Sequence, residues 1–407
     1  MKEFFERYKY KSKLLDDFNL SEFYTSNFEQ KPFFLKGSKA IEELKNNFNI
    51  YEFEKLLWYA HKIDFKKIQI SDNSEKLNIT QIQNNDILKL ANLYLKKNYC
   101  IVINFAEEFS PELAILTREF GEIFNCTAYC SVFLNPPNSN CFNAHYDGID
   151  VFALQIEGEK LWQVGQPKIE LPTKNQTYTL KDDSELDEQY LLNTGDFLYI
   201  PRGYIHNVLS TDNYSLHISI GLNSNRRIEV YKEVLKSLET TNRYLRETPK
   251  GVLKKGYEFI KDEFKSLDIL SELYDPYNIR QSVSRINSQK YSQLKLLPNK
   301  HLQNAIYDIP ITLNTEVIVL YGMPIEITLI QNEKIVMVFP SGLNSIDEWI
   351  YSCLTLPLTA ISSVEFVRDS QTAFKISEIP GLLSDDSKIT LIKELYTLGL
   401  LQINNPE

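Results

Sequence analysis

The sequence predicts an α+β protein: a double-sheet β barrel of the jelly-roll or cupin type, then a helical region, then a small C-terminal unit mixing strands and helices. Three observations predict it. Short strand-like runs separated by turn residues crowd the stretch 127–222. Apolar residues then recur at spacings of three and four, as in Leu253, Tyr257, Ile260, Phe264, Leu267 and Leu270. Beyond 310, VIVLY, IEITLI and KIVMVF alternate with helix-like segments. The boundaries drawn are 1–224 for the barrel, 225–310 for the helical region and 311–407 for the last unit.

Composition allows this plan. The 407 residues are 43% hydrophobic and 24% charged, enough for two or three cored domains. No apolar run reaches the roughly 20 residues of a membrane span. MKEFFERYKYKSKLLDDF carries scattered charge and no signal core, so a cytoplasmic location is expected. The net charge of −10 disfavours nonspecific nucleic-acid binding. Five sparse cysteines argue against a disulfide framework. Cys126, Cys130 and Cys141 cluster but lack a CxxC pair, so buried free thiols are expected rather than zinc ligands.

Taken in order, Ile41–Leu57 reads as one helix, with Leu44, Phe48, Phe53 and Leu57 on a stripe. Tyr99–Phe105 reads as a buried strand. Ser110 and Pro111 cap and open a helix that runs to Phe120. CSVFL is a strand ending in a proline and asparagine loop. VFALQI and KLWQV flank Glu157-Gly158 as a hairpin; FLYI stops at Pro201; SLHISIGL follows. In the helical region Val230, Val234, Leu238 and Leu245 make an earlier stripe. Its apolar faces fit either packing on the barrel or a homodimer interface, and pattern alone does not choose. Near the end Ser384 caps a helix carrying Ile389, Ile392, Leu395 and Tyr396; Gly399 ends it and LLQI follows as a strand. That order fits a winged-helix end. The mixed charge of its helix suits a structural or protein-contact role better than DNA reading.

The chemistry concentrates in HYDGIDVFALQIEGEKLW (145–162) and GDFLYIPRGYIHNV (195–208). Residues i and i+2 of a strand share a face, so His145 and Asp147 can reach one ion while Tyr146 turns away. His206 follows Pro201-Arg202-Gly203, a turn that can bring it beside the pair. Two imidazoles and one carboxylate are the ligand set of non-haem Fe(II) oxygenases, which leaves positions open for co-substrate and O2. Each residue also has an ordinary reading, and a lone HxD is a weak signal. Lys160 fits an anion anchor for a dicarboxylate such as 2-oxoglutarate, but taken alone it reads more readily as a lysine snorkelling from a turn. His217 reads as a spare ligand or, more simply, as a barrel-lining neighbour, because Ser215, His217 and Ser219 alternate onto one face. His61 and His301 read as ordinary.

HxD, then Q-x-x-G-x-K-x-W, then G-D-x-x-Y-x-P-x-x-x-x-H resembles the JmjC or cupin-like Fe(II)/2-oxoglutarate oxygenases, and within them the ribosomal-oxygenase group. FYTSNFEQKPFFLKG (23–37) resembles that group's opening segment, and the order of barrel, helical dimerisation region and winged-helix-like end also matches. The resemblance is strong over 130–222 and weak after 225. It implies that His145, Asp147 and His206 bind iron, that Lys160 pairs with the far carboxylate of 2-oxoglutarate, and that Ser219 adds a hydroxyl. One departure stands out: Phe133 occupies a position where several relatives place a tyrosine near the co-substrate. The implied activity is hydroxylation of a side chain, such as Arg or His, of a ribosomal or other protein, with 2-oxoglutarate and O2 consumed. Alternatives are the same chemistry on a natural-product peptide or free amino acid, a metal-binding cupin that makes no use of 2-oxoglutarate, and, least supported, a histone-type demethylase.

Overall fold

A computed structural model of the chain describes residues 11–72, 75–77, 99–173, 176, 186–241, six positions between 275 and 286, 310–319, 326–330, 334–343, 349–370, 372–398 and 400–403. The chain divides into two compact units, Met1–Ser224 and Asn225–Glu407.

The first unit opens with helices α1 (Lys11–Asp17) and α2 (Leu20–Ser26), then strand β1 (Phe33–Leu35). The single helix expected over 41–57 is two: α3 (Lys39–Asn47) and α4 (Ile50–Ile63). Asn49 causes the break. Its extended backbone and side chain, which accepts from the Tyr51 and Glu52 amides, start a new helix. Leu44, Phe48, Phe53 and Leu57 are nonetheless all buried, so the stripe was real and only its continuity was wrong. Strands β2 (Ile68–Asp72), β3 (Glu75–Leu77) and β4 (Cys100–Asn104) follow. Helix α5 (Pro111–Ile123) starts as expected, with Ser110 Oγ accepting from the Leu113 amide.

The remaining strands are β5 (Thr127–Asn135), β6 (Asp150–Glu157), β7 (Lys160–Gly165), β8 (Glu188–Leu192), β9 (Phe197–Ile200), β10 (Ile205–Ser210) and β11 (Ser215–Asn223). They form two sheets, ordered β1-β9-β6-β11-β5-β4-β2-β3 and β10-β7-β8. The expected hairpin of β6 and β7 does not exist. β6 pairs with β9 and β11, whereas β7 pairs with β8 and β10, so the 157–158 turn is a corner between sheets. Gly158 makes the corner with a φ of +71°; a Cβ there would lie 2.0 Å from the Tyr214 carbonyl oxygen.

The large sheet works on both faces. Along β5, Ala128, Cys130, Val132 and Leu134 enter the main apolar core with Leu113, Leu116 and Phe120 of α5. Phe23 of α2 joins that core against Tyr199 and Phe124, with ring centroids 4.9 and 5.9 Å away. Tyr129, Ser131 and Phe133 alternate onto the opposite face, toward the small sheet, and line a cavity.

The second unit begins with α6 (Arg227–Thr241), where Val230 and Val234 are buried. The helix expected over 253–270, Leu245 and His301 lie outside the described residues. Strands β12 (Glu316–Val319), β13 (Glu326–Ile330), β14 (Lys334–Leu343) and β15 (Trp349–Pro357) precede α7 (Ile361–Asp369), β16 (Phe374–Lys375), α8 (Asp385–Thr397) and β17 (Leu401–Ile403). They build two three-stranded sheets, β16-β12-β17 and β13-β14-β15. Val317, Ile335, Phe339, Val364, Ile392 and Leu395 share its core. Ser384 caps α8 by accepting from the Ser387 amide.

Candidate metal centre and its cavity

His145 and Asp147 do not lie on a strand, as the spacing had suggested; they sit in the loop that leads into β6. Backbone pairing still aims them. His145 and His206 form an isolated antiparallel bridge, His145 N–H donating to the His206 carbonyl at 3.1 Å and His206 N–H to the His145 carbonyl at 2.8 Å. The Gly203 amide donates to the Asp147 carbonyl at 3.0 Å. Gly203, at φ +92°, leaves no room for a Cβ, which would fall 2.6 Å from the Ile169 carbonyl oxygen. Tyr146 turns away as expected, its hydroxyl donating to the Gln176 carbonyl at 2.8 Å.

The three side chains converge. Asp147 carboxylate oxygens lie 3.9 Å from His145 Nε2 and 3.7 Å from His206 Nε2, and the two imidazole centroids are 4.6 Å apart. Each ring commits its Nδ1 to a carbonyl: His145 to Asn143 at 2.8 Å and His206 to Tyr204 at 3.2 Å. Nδ1 therefore carries the proton, and each Nε2 turns a lone pair inward. Burial, and then the neighbouring His145, hold His206 below the usual histidine range, so it stays neutral. Three acceptors facing one another with no donor between them form an arrangement that a cation completes. These residues fit a divalent metal, with His145 and Asp147 half-buried and His206 buried.

The cavity has a volume of about 260 Å³ and runs between the two sheets. At one end lies Lys160. It is 2% exposed, so the snorkelling alternative fails. β7 alternates, which turns Lys160 and Trp162 inward. The amine donates to Asn135 Oδ1 at 2.6 Å and lies 3.0 Å from His217 Nδ1. Burial pushes the Lys160 pKa well below the usual lysine range. Ser219 also lines the cavity, on the β11 face that carries His217. His217 is a lining residue and not a fourth ligand: it stacks on Phe133, with centroids 4.6 Å apart.

Register explains the layout. β11 and β5 pair His217 with Phe133, Ser219 with Ser131 and Gly221 with Tyr129. Sequence reading missed Asn135, Trp162 and Tyr129. The period-two run Tyr129, Ser131, Phe133, Asn135 was a usable signal, but which face meets the cavity required the sheet. The cysteine reading needs one correction. Cys126 and Cys130 are buried free thiols, but Cys141 is disulfide-bonded to Cys100 across 41 residues of sequence. The loop after β5 lies against β4, a contact invisible in spacing.

Comparison with known proteins places these features in context. The JmjC domain family matches residues 105–230. Human ribosomal oxygenase 1 is 40% identical over 115 residues, 26% of this chain and 17% of that protein. The bifunctional lysine-specific demethylase and histidyl-hydroxylase NO66 of Drosophila persimilis is 40% identical over 113 residues, 27% of this chain and 16% of that protein. The Dictyostelium discoideum protein of the same name is 25% identical over 251 residues, 57% of this chain and 47% of that protein. The chain thus spans less than half the length of these relatives. Among solved structures, Escherichia coli ribosomal oxygenase YcfD in complex with cobalt and 2-oxoglutarate superposes with a TM-score of 0.55 at 14% identity, covering 95% of this chain and 99% of that one. That likeness is one of fold.

Proposed function

With residues 105–230 forming a JmjC domain on a cupin-type jelly roll, we propose that this chain is an Fe(II)- and 2-oxoglutarate-dependent oxygenase that hydroxylates a side chain of a protein, most specifically a ribosomal protein. One observation carries the reading: the donor-free cluster of His145, Asp147 and His206 shares one cavity with the buried amine of Lys160. His145, Asp147 and His206 would hold the iron. Lys160 would bind the far carboxylate of 2-oxoglutarate, with Ser219 adding a hydroxyl. Bound iron would supply oxygen activation, with 2-oxoglutarate converted to succinate and CO2. Trp162, Phe133 and Val208 line the cavity and keep water from the reacting groups.

The ribosomal substrate is supported by the relatives' names. The fly relative's name joins demethylation to histidyl hydroxylation, and the hydroxylase half is the one carried over here. We read residues 225–310 as a helical region that pairs two copies, on the strength of its apolar stripes. Residues 311–407 are read as winged-helix-like, supported by α7 and α8 packed with the β16-β12-β17 sheet. A cytoplasmic site of action fits a described chain in which no helix is long and apolar enough to cross a membrane.

The test compares ribosomal proteins by mass spectrometry from host cells with the gene, without it, and with only the His145→Ala form. The expected result is a gain of one oxygen on a single protein in the first case alone. A demethylase would instead remove methyl mass, and identical spectra in all three would refute the ribosomal reading. In vitro, His145→Ala and Asp147→Ala should each abolish succinate formation; turnover retained in both would refute the site.

A further inference from the structure

The proposed co-substrate site, Lys160 with Ser219, leaves acceptor positions of the far carboxylate open. A carboxylate has two oxygens, and burying it demands a donor for each. The resemblance led us to expect a tyrosine on β5 for this purpose, yet residue 133 is phenylalanine and offers none. We propose that His217 supplies a further donor, binding the far carboxylate of 2-oxoglutarate through Nε2–H beside Lys160 and Ser219. This assignment rests on the co-substrate reading above and extends it.

The hydrogen-bond accounting fixes the tautomer. Lys160 Nζ lies 2.6 Å from Asn135 Oδ1 and 3.0 Å from His217 Nδ1. With a carboxylate bound beside it Lys160 is an ammonium, which has three protons and no acceptor lone pair, so in that state His217 Nδ1 accepts. The proton of a neutral imidazole then sits on Nε2. Among the described residues Nε2 has no partner, although the ring lines the cavity and is 2% exposed. Burial, and then the adjacent Lys160, keep His217 neutral, so it offers one N–H and no second charge. Asn135 orients the amine, and two of the three ammonium protons are thereby committed. The third, with His217 Nε2–H and the Ser219 hydroxyl, gives three donors for the roughly four lone-pair sites of the two carboxylate oxygens.

Phe133 has a different task in this arrangement. It stacks on the His217 ring at 4.6 Å and 15° and is the register partner of His217 across the sheet. Trp162 meets the ring edge-on at 5.6 Å. The imidazole is packed against two aromatic rings. Loss of a hydroxyl at 133 and a fixed donor at 217 are thus two sides of one arrangement.

The experiment is an anaerobic titration of Fe(II)-loaded protein, followed by the visible charge-transfer band formed when a 2-oxo acid chelates the iron. The probes are 2-oxoglutarate, which has the far carboxylate, and pyruvate, which lacks it. His217→Phe should raise the Kd for 2-oxoglutarate about tenfold, the usual worth of one hydrogen bond to a charged group. It should leave the Kd for pyruvate unchanged, which also reports an intact metal centre. His217→Gln, whose amide can accept from Lys160 and still donate, should recover most of the affinity. A His217→Phe protein that binds 2-oxoglutarate like the wild type overturns the assignment, as does an equal loss for both acids. A wild-type protein giving no band with either acid sinks the co-substrate reading itself, and this assignment with it.

Discussion

Glu107 illustrates what a single buried charge does in this protein. It is 5% exposed and accepts the Cys130 amide at 2.9 Å, and burial raises its pKa from 4.5 to about 7. A carboxyl whose folded pKa lies above the unfolded one binds protons more tightly when folded. Its stabilising contribution is complete below about pH 4.5 and is lost as pH rises to about 7, on the order of 3 kcal/mol in all. Glu107→Gln should flatten the fall in stability across that window, measured by urea unfolding at several pH values; an unchanged slope would show that Glu107 is not its source. Lys160→Met at the cavity end should raise the KM for 2-oxoglutarate by an order of magnitude or more while iron binding persists, because only the far carboxylate loses its partner. At this scale the sequence singled out His145, Asp147 and His206, which the structure brings together, because two imidazoles and a carboxylate are a metal-ligand set; Lys160 was singled out through the family resemblance. His217 was seen only as a lining residue, because its partner Lys160, itself held by Asn135, comes from a strand far away in the chain. The Cys100–Cys141 bond was missed for the same reason.

Elements were read well for type and less well for connection. Ser110 and Ser384 marked helix starts that the structure retains, because a cap is a local hydrogen bond. Asn49 is the same signal and was overlooked inside a convincing apolar stripe. Asn49→Ala should cost about 1 kcal/mol and loosen the start of α4, visible as faster amide exchange over 50–53. The 157–158 turn was misjudged because two adjacent strand-like runs joined by glycine look the same whether they pair or part. Pairing is decided by β9, β10 and β11, which lie downstream. Gly158→Ala tests the corner. Positive φ and the close Tyr214 carbonyl should together make it cost roughly 2–4 kcal/mol in urea unfolding. A neutral outcome would mean that the corner relaxes freely.

On the scale of the whole molecule, one sheet serves two purposes. Its outer face is locked to the N-terminal helices by the Phe23 cluster, which fixes the backbone from which Ser131, Phe133, His217 and Ser219 project on the other face. A rigid support of this kind suits a site whose parts come from β5, β7, β10, β11 and the 136–149 loop. The barrel class was legible because strand and turn alternation is dense over 127–222; the cavity was not, because it exists only once two sheets face each other. Binding then stabilises the fold that makes the site. Mn(II) alone at about 100 times its Kd should add roughly 2.7 kcal/mol to the barrel's stability, and His206→Ala should erase that increment. The most direct measurement is a crystal structure of the protein grown without oxygen with Mn(II) and 2-oxoglutarate. The account predicts one ion held by His145 Nε2, Asp147 and His206 Nε2, with the far carboxylate on Lys160. An ion bound elsewhere, or a Lys160 amine still bonded only to Asn135 and His217 with the co-substrate distant, would contradict it.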